Sequence, residues 1–156
     1  MGAHVSAVPN HQTGRITSMK LRGDVALGGN FGYELDLSKL NEEDTETVRE
    51  QVQFVKQVRS LTQTGTFTRL VSPFNGKVAA WQFVNDDASE ALLCVYRTMV
   101  MPTEPPMLIH MVGLDENATY VDDAGERYSG AALMHFGAWI HLKADYESKV
   151  IHLKKL

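Results

Sequence analysis

His4, Ser6, Asn10, His11, Gln12 and Thr13 crowd into one stretch, with Pro9 and Gly14 setting the backbone between them. Imidazole, hydroxyl and amide groups at this density suit either of two tasks. They can line a substrate, or they can hydrogen-bond their own loop and cap the next helix. His4, Ser6, Asn10 and His11 are the candidate substrate-side or supporting residues. A metal is not expected, because His4/His11 and His135/His141 miss the i, i+4 helical spacing of a zinc pair and no Cys/His cluster accompanies them. The adjacent carboxylates Asp86-Asp87 and Asp122-Asp123 sit in turn contexts. Neighbours on a strand would face opposite ways, so neither pair reads as an acid/base couple. Trp81 alternates with Ala79 and Phe83, the pattern of a core strand. Trp139 stands beside small and polar residues and is the better candidate platform for stacking a sugar ring, although burial in the core is the stronger expectation for it as well. Gly28-Gly29-Asn30-Phe31-Gly32 lacks the Lys-Ser/Thr ending of a phosphate loop, and no cofactor is expected.

The rest of the chain must hold these groups in place. With 156 residues, 44% apolar content and a net charge of −4, it is long enough for one ordinary domain, or for a small helical piece plus a β domain. Scattered basic residues give no expectation of nucleic-acid or membrane binding. A lone cysteine, Cys94, excludes an internal disulfide and fits a cytoplasmic protein. The pattern changes near Gly65. Before it, Met1–Val8 reads as a strand, Arg15–Leu27 as a helix ended by Gly28-Gly29-Asn30, and Phe31–Leu37 as a connector. A second helix starts at a cap on Asn41. Glu42, Glu43 and Asp44 complement the positive end of its dipole, and Val48, Val52, Val55, Val58 and Leu61 form its stripe, widened by Phe54. That breadth predicts contact with two neighbours.

Beyond Gly65 the period is that of strands: Thr66–Val71, Val78–Val84, Ala91–Met101, Met107–Val112, Thr119–Val121, Arg127–Tyr128, Trp139–Leu142 and Lys149–Leu156. Ala91–Met101 is almost continuously apolar, which predicts a central strand covered on both sides. Short strands with frequent turn signals indicate an antiparallel sandwich or barrel. The fold class is therefore mainly β: a C-terminal antiparallel β-sandwich over residues 65–156, preceded by a helical segment over residues 1–64.

The run Gly2-Ala-His-Val-Ser-Ala-Val-Pro-Asn-His-Gln-Thr-Gly-Arg15 resembles a signature of the bacterial family 36 α-galactosidases. Leu21-Arg22-Gly23-Asp24-Val25-Ala26, Gly32-Tyr33-Glu34-Leu35-Asp36-Leu37, Leu70-Val71-Ser72-Pro73-Phe74, Trp81-Gln82-Phe83-Val84 and Tyr128-Ser129-Gly130 extend the resemblance along the chain in order. The first block is specific and the later ones are individually weak. The resemblance implies retaining hydrolysis of terminal α-galactosides such as melibiose and raffinose, with two aspartates about 5 Å apart on a (β/α)8 barrel.

The family's nucleophile lies in a Lys-Trp-Asp context and its acid/base in a Ser-Asp context, and this chain contains neither. The resemblance thus implies a C-terminal portion that is itself non-catalytic. Residues 1–64 would be the last barrel strand with its closing helices, and residues 65–156 the β domain bracing the barrel. Implied partners are α-galactoside oligosaccharides, the rest of the enzyme chain and further copies in a homo-oligomer. Two other readings stand beside it: a free-standing carbohydrate-binding module, and a structural or assembly β-sandwich.

Overall fold

Strand β1 (Gly2–Ser6) is a run of small and β-branched residues that stops where Ala7 and Val8 lead into Pro9. The computed structural model describes residues 2–156, so the expected start of this strand at Met1 lies outside the described residues. The chain divides into two compact units, Met1–Arg59 and Ser60–Leu156.

In the first unit, helix α1 (Met19–Ala26) begins four residues later than the sequence pattern suggests. The reason is Ser18, which holds an extended backbone and accepts a hydrogen bond from the Leu21 amide at 3.1 Å, an N-cap that fixes the first turn. The following segment is a strand, not a connector. β2 (Asn30–Glu34) pairs with β1 in parallel, in register from Gly2 opposite Asn30 to Ser6 opposite Glu34. β1, α1 and β2 therefore make a β-α-β unit. Its small core gathers Val5, Met19 and Ala26, with Phe31, Tyr33, Leu35 and Val48 packed around them.

Gln51 fastens this core with one amide. Its Nε2 donates to the Met19 carbonyl at 2.9 Å, and its Oε1 accepts from the Tyr33 hydroxyl at 2.8 Å. Gln51 comes this close because position 23 is glycine, where an added Cβ would stand 2.2 Å from the amide nitrogen. Helix α2 (Glu42–Thr64) starts as expected: Asn41 Oδ1 accepts from the Asp44 amide at 2.7 Å. It ends at Gly65, whose amide donates to the Leu61 carbonyl at 2.9 Å. A Cβ at position 65 would lie 2.5 Å from that carbonyl and 3.1 Å from the Val84 carbonyl, so glycine is required there by close approach.

The second unit contains a six-stranded antiparallel sheet in the order β3-β4-β5-β10-β7-β8, built from β3 (Thr66–Val71), β4 (Val78–Val84), β5 (Glu90–Arg97), β7 (Thr119–Asp122), β8 (Arg127–Ser129) and β10 (Glu147–Lys155). A separate antiparallel ribbon pairs β6 (Met107–Ile109) with β9 (Ala138–Ile140). On one face of the large sheet, Ala80, Val84, Leu93, Val95, Ile151 and Leu153 form a single core with Ile109, Met111, Leu133 and Ile140 from the ribbon and its flanks. Each fully buried aliphatic side chain there contributes about 1.5–3 kcal/mol. Ala79, Phe83, Leu92 and Cys94, which point the other way, are buried too, so β5 is covered on both faces as its apolar run implies. β5 ends at Arg97, short of the expected Met101, and Ala132–Phe136 forms one π-helical turn.

The carboxylates at the turns tie the chain to itself. Asp87 Oδ1 accepts from the Ser89 amide at 3.0 Å. Asp122 Oδ1 accepts from the amides of Ala124 and Glu126, and its Oδ2 from the Tyr128 hydroxyl at 3.0 Å. Burial, followed by the bond to Asp122, pushes the Tyr128 phenol up to about 12. The native state therefore keeps this proton between pH 10 and 12, where an unfolded tyrosine has lost it. The stabilisation is complete below pH 10 and disappears as pH rises through that window. Near-ultraviolet phenolate absorbance should show a tyrosine titrating toward pH 12 that is absent in Tyr128→Phe. Ionisation of all tyrosines together near pH 10 in the folded protein would contradict this.

Candidate functional site

The loop after β1 is shaped chiefly by Asn10. Its Oδ1 accepts from the Gln12 amide at 3.1 Å, the Thr13 amide at 3.0 Å and the Thr13 hydroxyl at 3.0 Å. Its backbone closes the same loop, accepting from Gly14 at 2.8 Å and donating to the Arg15 carbonyl at 2.9 Å. Gly14 takes a positive φ of 65°, which glycine adopts without strain. Asn10 is thus occupied in holding the loop.

Beside this loop lies an open cavity of about 330 Å³, whose lining includes Ser6, Asn10, Thr13, Arg15 and Arg22. Arg22 reaches back from α1 along the direction that helical side chains take toward their own N-terminus. Its Nη1 donates to the Ser6 carbonyl, and its Nε to the Ser18 carbonyl at 3.3 Å. Arg22 also borders a second cavity of about 250 Å³ with Asp36, Lys39 and Asp44. Partial burial lowers the guanidinium's pKa, and the charge of Asp44 opposes that shift.

Of the four sequence candidates, Ser6 and Asn10 meet at one cavity. His4 turns elsewhere and pairs with Glu34 on β2, Nε2 to Oε2 at 2.6 Å, with both side chains largely exposed. His11 is exposed and makes no hydrogen bond or ion pair among the described residues. Arg22 is the residue that pattern reading overlooked. Its signal was a cation one turn into a helix that follows a polar loop.

Three of the other histidines have local partners. His110 Nδ1 lies 3.2 Å from the Met134 carbonyl, and His135 pairs with Glu116 at 2.8 Å. Buried His152 sits between Glu90, 2.6 Å from its Nε2, and Asp123, 3.3 Å from its Nδ1. Among the described residues, no three His, Cys, Asp or Glu side chains gather where a metal ion could sit. Among the same residues, no helix is long and apolar enough to cross a membrane.

The two tryptophans differ in exposure, and Trp139 is not in the core, the stronger expectation for it, because strand alternation turns Ala138 and Ile140 inward instead. Trp81 is half-buried and stacks on Tyr96 with ring centres 4.4 Å apart. Trp139 is 68% exposed on β9 between buried Ala138 and Ile140. It borders a cleft of about 400 Å³. Arg97 spans that cleft's wall: its Nη1 donates to the Leu142 carbonyl at 2.8 Å, and its Nη2 pairs with Glu104 at 2.6 Å.

Comparison with known proteins gives this geometry its context. Residues 1–65 match the Melibiase family, and residues 78–153 match the glycosyl hydrolase family 36 C-terminal domain. The chain is similar to the alpha-galactosidase AgaA of Geobacillus stearothermophilus, 48% identical over 99% of this chain and 21% of that protein. It is also similar to the bifunctional alpha-galactosidase/sucrose kinase AgaSK of Mediterraneibacter gnavus, 45% identical over 88% of this chain and 15% of that protein. Its fold superposes on the crystal structure of AgaA with a TM-score of 0.96 at 47% identity, covering 100% of this chain and 22% of that one. For the alpha-galactosidase of Lactobacillus brevis the TM-score is 0.93 at 38% identity, again covering 100% and 22%. The chain spans about a fifth or less of the length of these relatives.

Proposed function

We propose, on the premise that this chain corresponds to the C-terminal portion of glycoside hydrolase family 36, that its parent protein hydrolyses terminal α-galactosides with retention of configuration. The observation that carries this reading is the 48% identity to an alpha-galactosidase along nearly the whole chain. In this reading, residues 1–64 supply the end of a (β/α)8 barrel with its closing helices, contributing two parallel strands where the sequence pattern suggested one. Residues 65–156 are the β-sandwich that braces the barrel. The parallel β1-α1-β2 unit supports the first assignment, since such units build barrels. The covered antiparallel sheet supports the second.

The reacting aspartates belong to other parts of the parent, because their sequence contexts do not occur here. His4, Ser6, Asn10 and His11 lie on or just after a strand's C-terminal end, the edge where barrel enzymes place their sites. Their part is to shape the substrate's surroundings. Ser6 and Asn10 do so through the loop that Arg22 braces, and His4 and His11 through imidazoles that reach outward. The parent is taken to act in the cytoplasm, which the lone buried cysteine favours, and as a homo-oligomer.

Two measurements test this reading. The purified 156-residue chain should release no p-nitrophenol from p-nitrophenyl-α-galactoside above a blank. The protein expressed from the gene's whole reading frame should release it readily. Turnover by the chain alone would mean that the acid pair lies within it, and an inert whole protein would overturn the assignment.

A further inference from the structure

We propose that the Trp139 cleft binds a neutral sugar ring. The choice of an α-galactoside as its ligand rests on the function proposed above. The cleft itself is argued from its own groups.

Strand alternation sends Ala138 and Ile140 into the core, so Trp139 must face out. The result is a large flat apolar surface left 68% exposed, bordering a cleft whose volume of about 400 Å³ lies within the range typical of small-ligand sites. Pro105 and Pro106 line the same cleft and carry no amide N–H, so they present hydrocarbon.

The polar groups narrow the ligand class. Arg97 has a side chain only 10% exposed and is paired with Glu104, itself 26% exposed. Lys143 on the same lining adds an ammonium that can donate to a hydroxyl, while the charges of Arg97 and Glu104 offset each other. A wholly apolar ligand would strip water from both without replacing its hydrogen bonds, which is costly. The pair with Arg97 leaves the Glu104 carboxylate with further acceptor capacity, and exposed His141 adds a ring nitrogen to the lining. A flat aromatic face beside closely spaced donors and acceptors matches a pyranose. The C–H face of the sugar stacks on the indole, and its hydroxyls meet the carboxylate and imidazole.

Raffinose titrated into the 156-residue chain tests this, with the indole N–H signals of the two tryptophans followed by NMR. The Trp139 signal should shift and saturate, with a Kd on the order of 1 mM, as a shallow site of few contacts implies. The Trp81 signal should stay in place. Trp139→Ala should keep the circular dichroism of the native chain and weaken binding at least tenfold. Trp139→Phe should retain part of the affinity, and Glu104→Gln should lose several-fold. A Trp139 signal that never moves at tens of millimolar raffinose would overturn the inference, as would one that moves equally with sodium phosphate. Such a failure beside an actively hydrolysing parent would refute this site alone. Binding here with an inert parent would refute only the proposed reaction.

Discussion

Gly130→Ala should cost the Ser60–Leu156 unit about 3 kcal/mol, the upper end of ordinary overpacking penalties. A Cβ at position 130 would lie 2.0 Å from the Asp115 carbonyl oxygen and 3.2 Å from the Tyr120 ring. Neither neighbour can retreat cheaply. The 115–118 turn is fixed by Ala118 N to Asp115 O at 3.2 Å, by Gly130 N to Ala118 O at 2.9 Å and by Ala131 N to Glu116 O at 3.3 Å. Tyr120 is fully buried, and its hydroxyl donates to the Ala88 carbonyl at 2.6 Å while accepting from the Asp115 amide at 3.0 Å. For a unit of this size the midpoint of thermal unfolding should fall by roughly 10–20 °C. An unchanged midpoint would mean that the turn slides without resistance.

Gln82→Ala should cost about 2–4 kcal/mol, combining an emptied volume with two lost hydrogen bonds. Gln82 is fully buried on β4, where the strand pattern calls for an apolar residue. Its Nε2 donates to the Val112 carbonyl, and its Oε1 accepts from the Val112 amide at 3.1 Å. The side chain thus acts as an extra rung that secures the segment after β6. Gln82→Met separates the two contributions, because it restores the volume without the bonds and should recover about half of the loss. Urea unfolding midpoints of the two variants decide the matter. Equal losses would assign everything to the hydrogen bonds, and a silent alanine variant would remove the rung from the account.

The strands of the second unit were legible because their covering is local in sequence. β3 and β4 fall where alternation and turn residues place them, and β5 announces its burial by an unbroken apolar run. β2 was not legible. Its partner β1 lies across a helix, and its pattern of Asn, Phe, Gly, Tyr and Glu mixes strand and loop formers, so only the parallel pairing reveals it. The late start of α1 turned on one serine whose backbone had to be extended. At the candidate site, the sequence named Ser6 and Asn10 but not Arg22, whose role depends on a side chain crossing 16 positions back to the Ser6 carbonyl. Gln82 was hidden for the same reason: its partner Val112 is 30 residues away.

The order β3-β4-β5-β10-β7-β8 also bears on how the protein is made. β10 sits in the interior of the sheet yet is synthesised after every strand it joins. Until it leaves the ribosome, the nascent sheet stays split, with the bare edges of β5 and β7 open to strands of other chains. Chaperone cover during translation therefore matters most for the stretch between the completion of β7 and the arrival of Glu147–Lys155.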